Sequence, residues 1–134
     1  MRRVLETAVY CDDLTRTVAF YKAVLSSEPM LAGERVVAFD AGEGTVLLLF
    51  QRSASVHPLD TPGGLVPGHT STGPAHLAFA IDKEDVHMWY ERLAALEIVI
   101  ESRVDWSRGG HSIYFRDPDG RSVELATPGT WPSY

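Results

Sequence analysis

His111-Ser112-Ile113-Tyr114-Phe115-Arg116-Asp117-Pro118-Asp119-Gly120-Arg121-Ser122-Val123-Glu124-Leu125-Ala126 reads as a strand, a tight turn and a second strand. Asp-Pro-Asp-Gly sets one φ with proline and leaves the positive-φ place to glycine, as a short hairpin turn requires. Around it the residues alternate. Ile113, Phe115, Val123 and Leu125 share one face, while Ser112, Tyr114, Ser122 and Glu124 share the other.

The same pattern occurs earlier in the chain. Arg35–Asp40 and Val46–Phe50 read as strands around Gly42-Glu43-Gly44, with Phe39 against Phe115 and Leu48 against Glu124, each pair 76 positions apart. Upstream of each hairpin lies a strand and then a helix. His76–Ala80 leads through Asp82, a cap residue, into a helix over 83–96 whose apolar stripe is Val86, Trp89, Tyr90, Leu93 and Leu96. Leu5–Tyr10 leads through Asp12 and Asp13 into a helix over 14–25 with the stripe Leu14, Val18, Tyr21 and Leu25. Here Glu6 falls on His76, Asp12 on Asp82 and Phe20 on Tyr90, each 70 positions apart. One insertion between helix and hairpin accounts for the change of offset.

The expected fold is therefore α+β, a β-α-β-β-β unit used twice. Unit one is expected over residues 1–51, a linker over 52–73, unit two over 74–127 and a tail over 128–134, in one domain. The linker holds Pro58, Pro62 and Pro67 with Gly63, Gly64, Gly68 and Gly73, and reads as a mobile loop.

Composition narrows the function classes. A net charge of −6 with no long Lys/Arg run argues against a nucleic-acid partner. After the arginines of Met1-Arg2-Arg3 only short apolar pieces follow, and no run approaches the roughly 18 apolar residues of a membrane span. Cys11 is the only cysteine, so no intrachain disulfide forms and a reducing compartment, the cytoplasm, is expected. No phosphate-binding glycine loop or serine-nucleophile elbow is present.

The chain resembles the vicinal oxygen chelate superfamily of glyoxalase I, extradiol dioxygenases, fosfomycin-resistance enzymes and bleomycin-binding proteins. The resemblance rests on Asp13-Leu14 with Phe20-Tyr21 and Val24-Leu25, on Gly73-Pro74-Ala75-His76-Leu77-Ala78-Phe79, and above all on Tyr114 to Leu125. It implies that the two units bend eight strands into an open cup with the helices outside. It also implies four ligand positions on the first and last strands of the units, here Glu6, Leu48, His76 and Glu124. The internal repeat pairs the same four. Leucine cannot coordinate, so the implied metal set is Glu6, His76 and Glu124, a three-ligand site of the kind that leaves coordination open for substrate. Glyoxalase I uses four ligands, so Leu48 counts against that activity. Glu6 stands where three-ligand relatives usually carry histidine. Two carboxylates and an imidazole suit Mn, Zn, Ni or Fe(II).

Alternation assigns the rest of the lining. Tyr10, Val36, Ala38, Val46, Leu48 and Phe50 form an apolar wall; Ser112, Tyr114, Ser122 and Glu124 form a polar one, with Arg116 as a charged contact. Such a cup suits a small amphipathic molecule. Glu124 and Tyr114 are the catalytic candidates, the phenol as proton or hydrogen-bond donor. Two readings follow: a metal-dependent lyase, isomerase or dioxygenase, or a metal-free binding protein of the bleomycin-resistance type in which Arg116 or Arg35 neutralises the carboxylates. A homodimer is expected. His57 and His69 read as solvated linker residues, His87 as exposed, and His111 as a loop or lid residue. Trp106 and Trp131 fit the mouth of the cup or a subunit contact.

Overall fold

A computed structural model describes residues 3–134; Met1 and Arg2 lie outside the described residues. The described chain divides between Gly73 and Pro74 into two compact units.

In unit one, strand β1 (Glu6–Cys11) leads to helix α1 (Leu14–Leu25), then β2 (Leu31–Ala32), β3 (Val36–Asp40) and β4 (Val46–Gln51). The sheet order is β1-β4-β3-β2, with β1 parallel to β4 and the other pairs antiparallel. A parallel pair needs a crossover, and α1 supplies part of it. Asp13 caps α1 by accepting from the Arg16 amide at 2.9 Å, whereas Asp12 pairs with Arg52. The buried stripe of α1 is Leu14, Thr17, Tyr21 and Val24, with Val18 and Leu25 only half-covered. The helix is turned by about one residue from the expected phase. It covers Val9, Cys11, Phe39 and Leu49 on one face of the sheet, where each large apolar side chain is worth about 1.5–3 kcal/mol.

The expected linker carries its own structure. Strands β5 (Leu59–Thr61) and β6 (Gly64–Val66) form a hairpin. The segment returns to its start, where the His69 amide donates to the Ser55 carbonyl at 2.7 Å. A Cβ on Gly68 would lie 2.3 Å from the Val56 carbonyl oxygen, so only glycine fits that crossing.

Unit two repeats the plan with β7 (His76–Ala80), helix α2 (Val86–Ala95), β8 (Ile100–Asp105), β9 (His111–Arg116) and β10 (Ser122–Ala126), in the order β7-β10-β9-β8. A 3-10 turn over Lys83–Asp85 precedes α2, and the Asp82 side chain makes no capping bond, contrary to the expectation for it. On α2 the phase is as expected. Leu93 is fully buried while Val86, Trp89, Tyr90 and Leu96 are half-covered.

The registers of the sheets coincide. Ala8 pairs with Leu48 as Ala78 pairs with Glu124, and Ala38 pairs with Leu48 as Tyr114 pairs with Glu124. Among the described residues the fold is thus α+β, with eight strands in two open four-stranded sheets, two more in the β5–β6 hairpin, and no closed barrel. The added residues of the second copy lie in β8, six residues against two in β2, and in the longer turn that follows it.

Candidate metal centre

Unit two gathers three of the expected residues, His76, Ser112 and Tyr114, around Glu124. Glu124 is 6% exposed, and burying a carboxylate costs several kcal/mol unless its lone pairs are met. They are met from three sides. Ser112 donates to Oε1 at 2.5 Å and Tyr114 donates to the same oxygen at 2.9 Å, while His76 Nε2 lies 3.1 Å from Oε2. The strands explain the cluster. Glu124 on β10 lies opposite Tyr114 on β9, and His76 enters at the start of β7, opposite Ser122.

His76 meets an acceptor on either side. With a proton on Nδ1 it donates to the Ser122 carbonyl, 3.2 Å away and able only to accept. Nε2 then faces Glu124 either as an imidazolium donor or with a lone pair. A lone pair beside a carboxylate oxygen is the arrangement that a cation between them would satisfy. Ligands at adjacent positions on one metal, each about 2.1 Å away, lie roughly 3 Å from one another, as these two atoms do. The donor set and its hydrogen-bonded backing fit a divalent metal. The Tyr114 ring stacks near His76, at 6.2 Å between centroids. Burial, followed by the hydrogen bond to Glu124, pushes the Tyr114 phenol above its ordinary value of 10.0 and keeps it a donor.

Arg116 makes a two-point pair with Glu101, through Nε at 2.7 Å and a terminal nitrogen at 2.8 Å. That bond holds Glu101 below the ordinary carboxylate range. Arg116 is therefore committed to Glu101, and the partners of Glu124 are Ser112, Tyr114 and His76.

In unit one the registers place Glu6, Ala8 and Tyr10 on one face of the sheet with Val46, Leu48, Phe50, Val36 and Ala38. Glu6 is exposed at the head of β1. Among the described residues, no three His, Cys, Asp or Glu side chains form a group that could hold a metal. Unit two by itself supplies the pair His76 and Glu124.

His69 departs from its expected place in solvent. Its Nδ1 lies 2.6 Å from the Tyr10 hydroxyl, and its ring packs edge-on against Phe50, 4.7 Å between centroids. Arg52 fastens the segment by donating to the Ser71 carbonyl at 2.7 Å and the Tyr10 carbonyl at 3.1 Å. Nothing in the local sequence marks His69, because its neighbours come from strands far away in the chain. His57 is exposed as expected, and so is His87, which pairs with Glu91. His111 lies within β9 and links Asp105 at 2.6 Å to the Tyr90 hydroxyl at 2.7 Å; it is a tie between sheet and helix, not a lid. Trp131 is exposed, whereas Trp106 donates its indole N–H to Ser112 at 2.8 Å.

The sequence profile of the Glyoxalase/Bleomycin resistance protein/Dioxygenase superfamily matches residues 3–125. The chain belongs to this superfamily. It is similar to the metallothiol transferase FosB of Staphylococcus epidermidis, at 28% identity over 116 residues, covering 86% of this chain and 74% of that protein. The FosB of Shouchella clausii is 32% identical over 117 residues, with 86% and 73% covered. Among solved structures, one described as lactoylglutathione lyase from Agrobacterium tumefaciens superposes with a TM-score of 0.87 at 36% identity, covering 98% of each chain. As named, these relatives of the superfamily are enzymes. No helix among the described residues is long and apolar enough to cross a membrane.

Proposed function

We propose that this chain is a divalent-metal-dependent enzyme that acts on a small amphipathic molecule by holding two of its oxygens at one cation. The carrying observation is the convergence of His76 Nε2 and Glu124 Oε2 at 3.1 Å, each backed by hydrogen bonds on its other side. His76 and Glu124 are ligands from unit two and Glu6 is the third. A bound divalent cation would polarise a substrate oxygen and offset the negative charge that develops on it. Tyr114 holds its proton at the edge of the carboxylate, where it can donate to a substrate oxygen. Tyr10, Leu48 and Phe50 take the apolar body of the molecule. The enzyme is a cytoplasmic homodimer in this reading.

Its relatives' names support enzymatic chemistry and put two reactions first for assay: transfer of a thiol to a small electrophile, and lyase chemistry on a glutathione adduct. Leu48 leaves three ligands, which speaks for the first. The apolar wall of unit one favours a second reading, a metal-free binding protein of the bleomycin-resistance type.

Metal analysis of protein purified without chelators separates the two, and melting curves test the ligands. Mn or Zn at 100 times its dissociation constant should stabilise the fold by about 2.7 kcal/mol, and His76→Ala should lose most of that gain. Equal gains in both proteins would move the metal elsewhere. No metal and no gain would leave the binding-protein reading.

A further inference from the structure

We propose that Trp106 is a positioning residue for Glu124, acting through the hydroxyl of Ser112. The proposal rests on the metal reading above for its purpose, since it determines which carboxylate oxygen is left for the cation. An indole N–H can only donate. At 2.8 Å from Ser112 Oγ it occupies that oxygen as an acceptor, and the single hydroxyl proton goes to Glu124 Oε1 at 2.5 Å. Tyr114 adds a second donor to Oε1 at 2.9 Å. Oε1 is engaged twice, and Oε2 alone faces His76. The last torsion of a glutamate is soft, so the carboxylate would turn readily without such anchors.

The setting of Trp106 agrees with this role. Trp106 is 39% exposed, a poor use of a large apolar residue if packing were its purpose, yet its indole N–H points inward to a fully buried serine. Its backbone is fixed by the turn before β9. The Trp106 amide donates to the Gly110 carbonyl at 2.8 Å, and the Gly109 amide donates to the Trp106 carbonyl at 2.8 Å. The backbone of Thr130 closes over Gly110, where a Cβ would lie 2.3 Å from the Thr130 nitrogen. Trp106 is thus presented by a rigid turn to the serine that holds the ligand. Neighbours that orient a ligand commonly account for 10–100-fold in metal affinity.

Two measurements on the full chain test the relay. Without metal, the indole N–H resonance of Trp106, assigned by its loss in Trp106→Phe, should move on Glu124→Gln while those of Trp89 and Trp131 stay in place. With Co(II) as probe, Trp106→Phe should weaken binding by about tenfold and alter the visible ligand-field bands. Trp131→Phe should leave both as in the wild type. Adding Trp106→Phe to Ser112→Ala should cost no further affinity, because the middle link is already gone. A stationary Trp106 resonance, or wild-type Co(II) affinity and bands in Trp106→Phe, would overturn the proposal. Should the wild type take no Co(II), the functional reading fails, and the indole resonance alone then upholds or overturns the relay.

Discussion

At the scale of single residues, Tyr114 gives the most direct chemical readout of the site. Its hydroxyl donates to a buried carboxylate, and both burial and that bond favour the neutral phenol. A group whose folded value is raised stabilises the fold below its unfolded value and loses that contribution as pH climbs through the folded one. The difference between alkaline absorbance titrations of the wild type and Tyr114→Phe should therefore show one phenol ionising above 10.0. A difference centred at or below that value would contradict the geometry. The facing of Tyr114, Ser112 and Glu124 was legible because strand side chains alternate with a period of two. The partners of those groups were not. Trp106 reaches Ser112 across a turn, and His69 reaches Tyr10 from 59 positions away, so neither contact leaves a local pattern. Arg116 shows the opposite error: alternation places the residue correctly, but Glu101 on the neighbouring strand claims its charge.

At the scale of elements, the turn between β9 and β10 is held by more than its proline and glycine. Asp117 accepts from the Asp119 amide at 3.0 Å and the Arg121 amide at 2.9 Å, and pairs with the Arg121 guanidinium at 2.7 Å. Gly120 takes φ 78°, the place the sequence reserves for it. Both charges are buried, with Arg121 3% and Asp117 5% exposed. Removing the guanidinium takes the counter-charge from Asp117 and Asp119, so Arg121→Ala should lower stability by about 3–5 kcal/mol in urea unfolding. A loss under about 1 kcal/mol would mean that the pair is screened like a surface one. The motif was readable because its constraints lie within five residues. The phase of α1 was less so, since Thr17 holds a buried place that an apolar template reserves for hydrocarbon. A threonine can return its hydroxyl to the helix backbone and then pack by its methyl.

At the scale of the whole molecule, two copies of one plan each end in an unfinished sheet. β1 and β7 are edge strands of their own four-stranded sheets, and Val4, Leu5, Ala78 and Ala80 are exposed on or beside them. Exposed strand edges invite pairing, which is the physical ground for expecting a homodimer. The repeat itself was legible because each unit carries the same offsets, while the folding of the segment between them was not. Its ties to β1 run through Arg52 and His69, and no periodicity announces them or its hairpin. Those ties extend through Ser71, so little of the expected linker remains unattached to unit one. The proposed ligands are divided between the units, with Glu6 on one and His76 and Glu124 on the other. If dimerisation joins unit one of one chain to unit two of its partner, chains inactive by Glu6→Ala and by His76→Ala should complement when mixed. Each mixed dimer then has one intact site and recovers about half of wild-type activity, since independent sites contribute additively. Mixtures that form dimers yet stay inactive would assign all three ligands of a site to one chain. Sedimentation as a monomer at micromolar concentration would remove the dimer altogether.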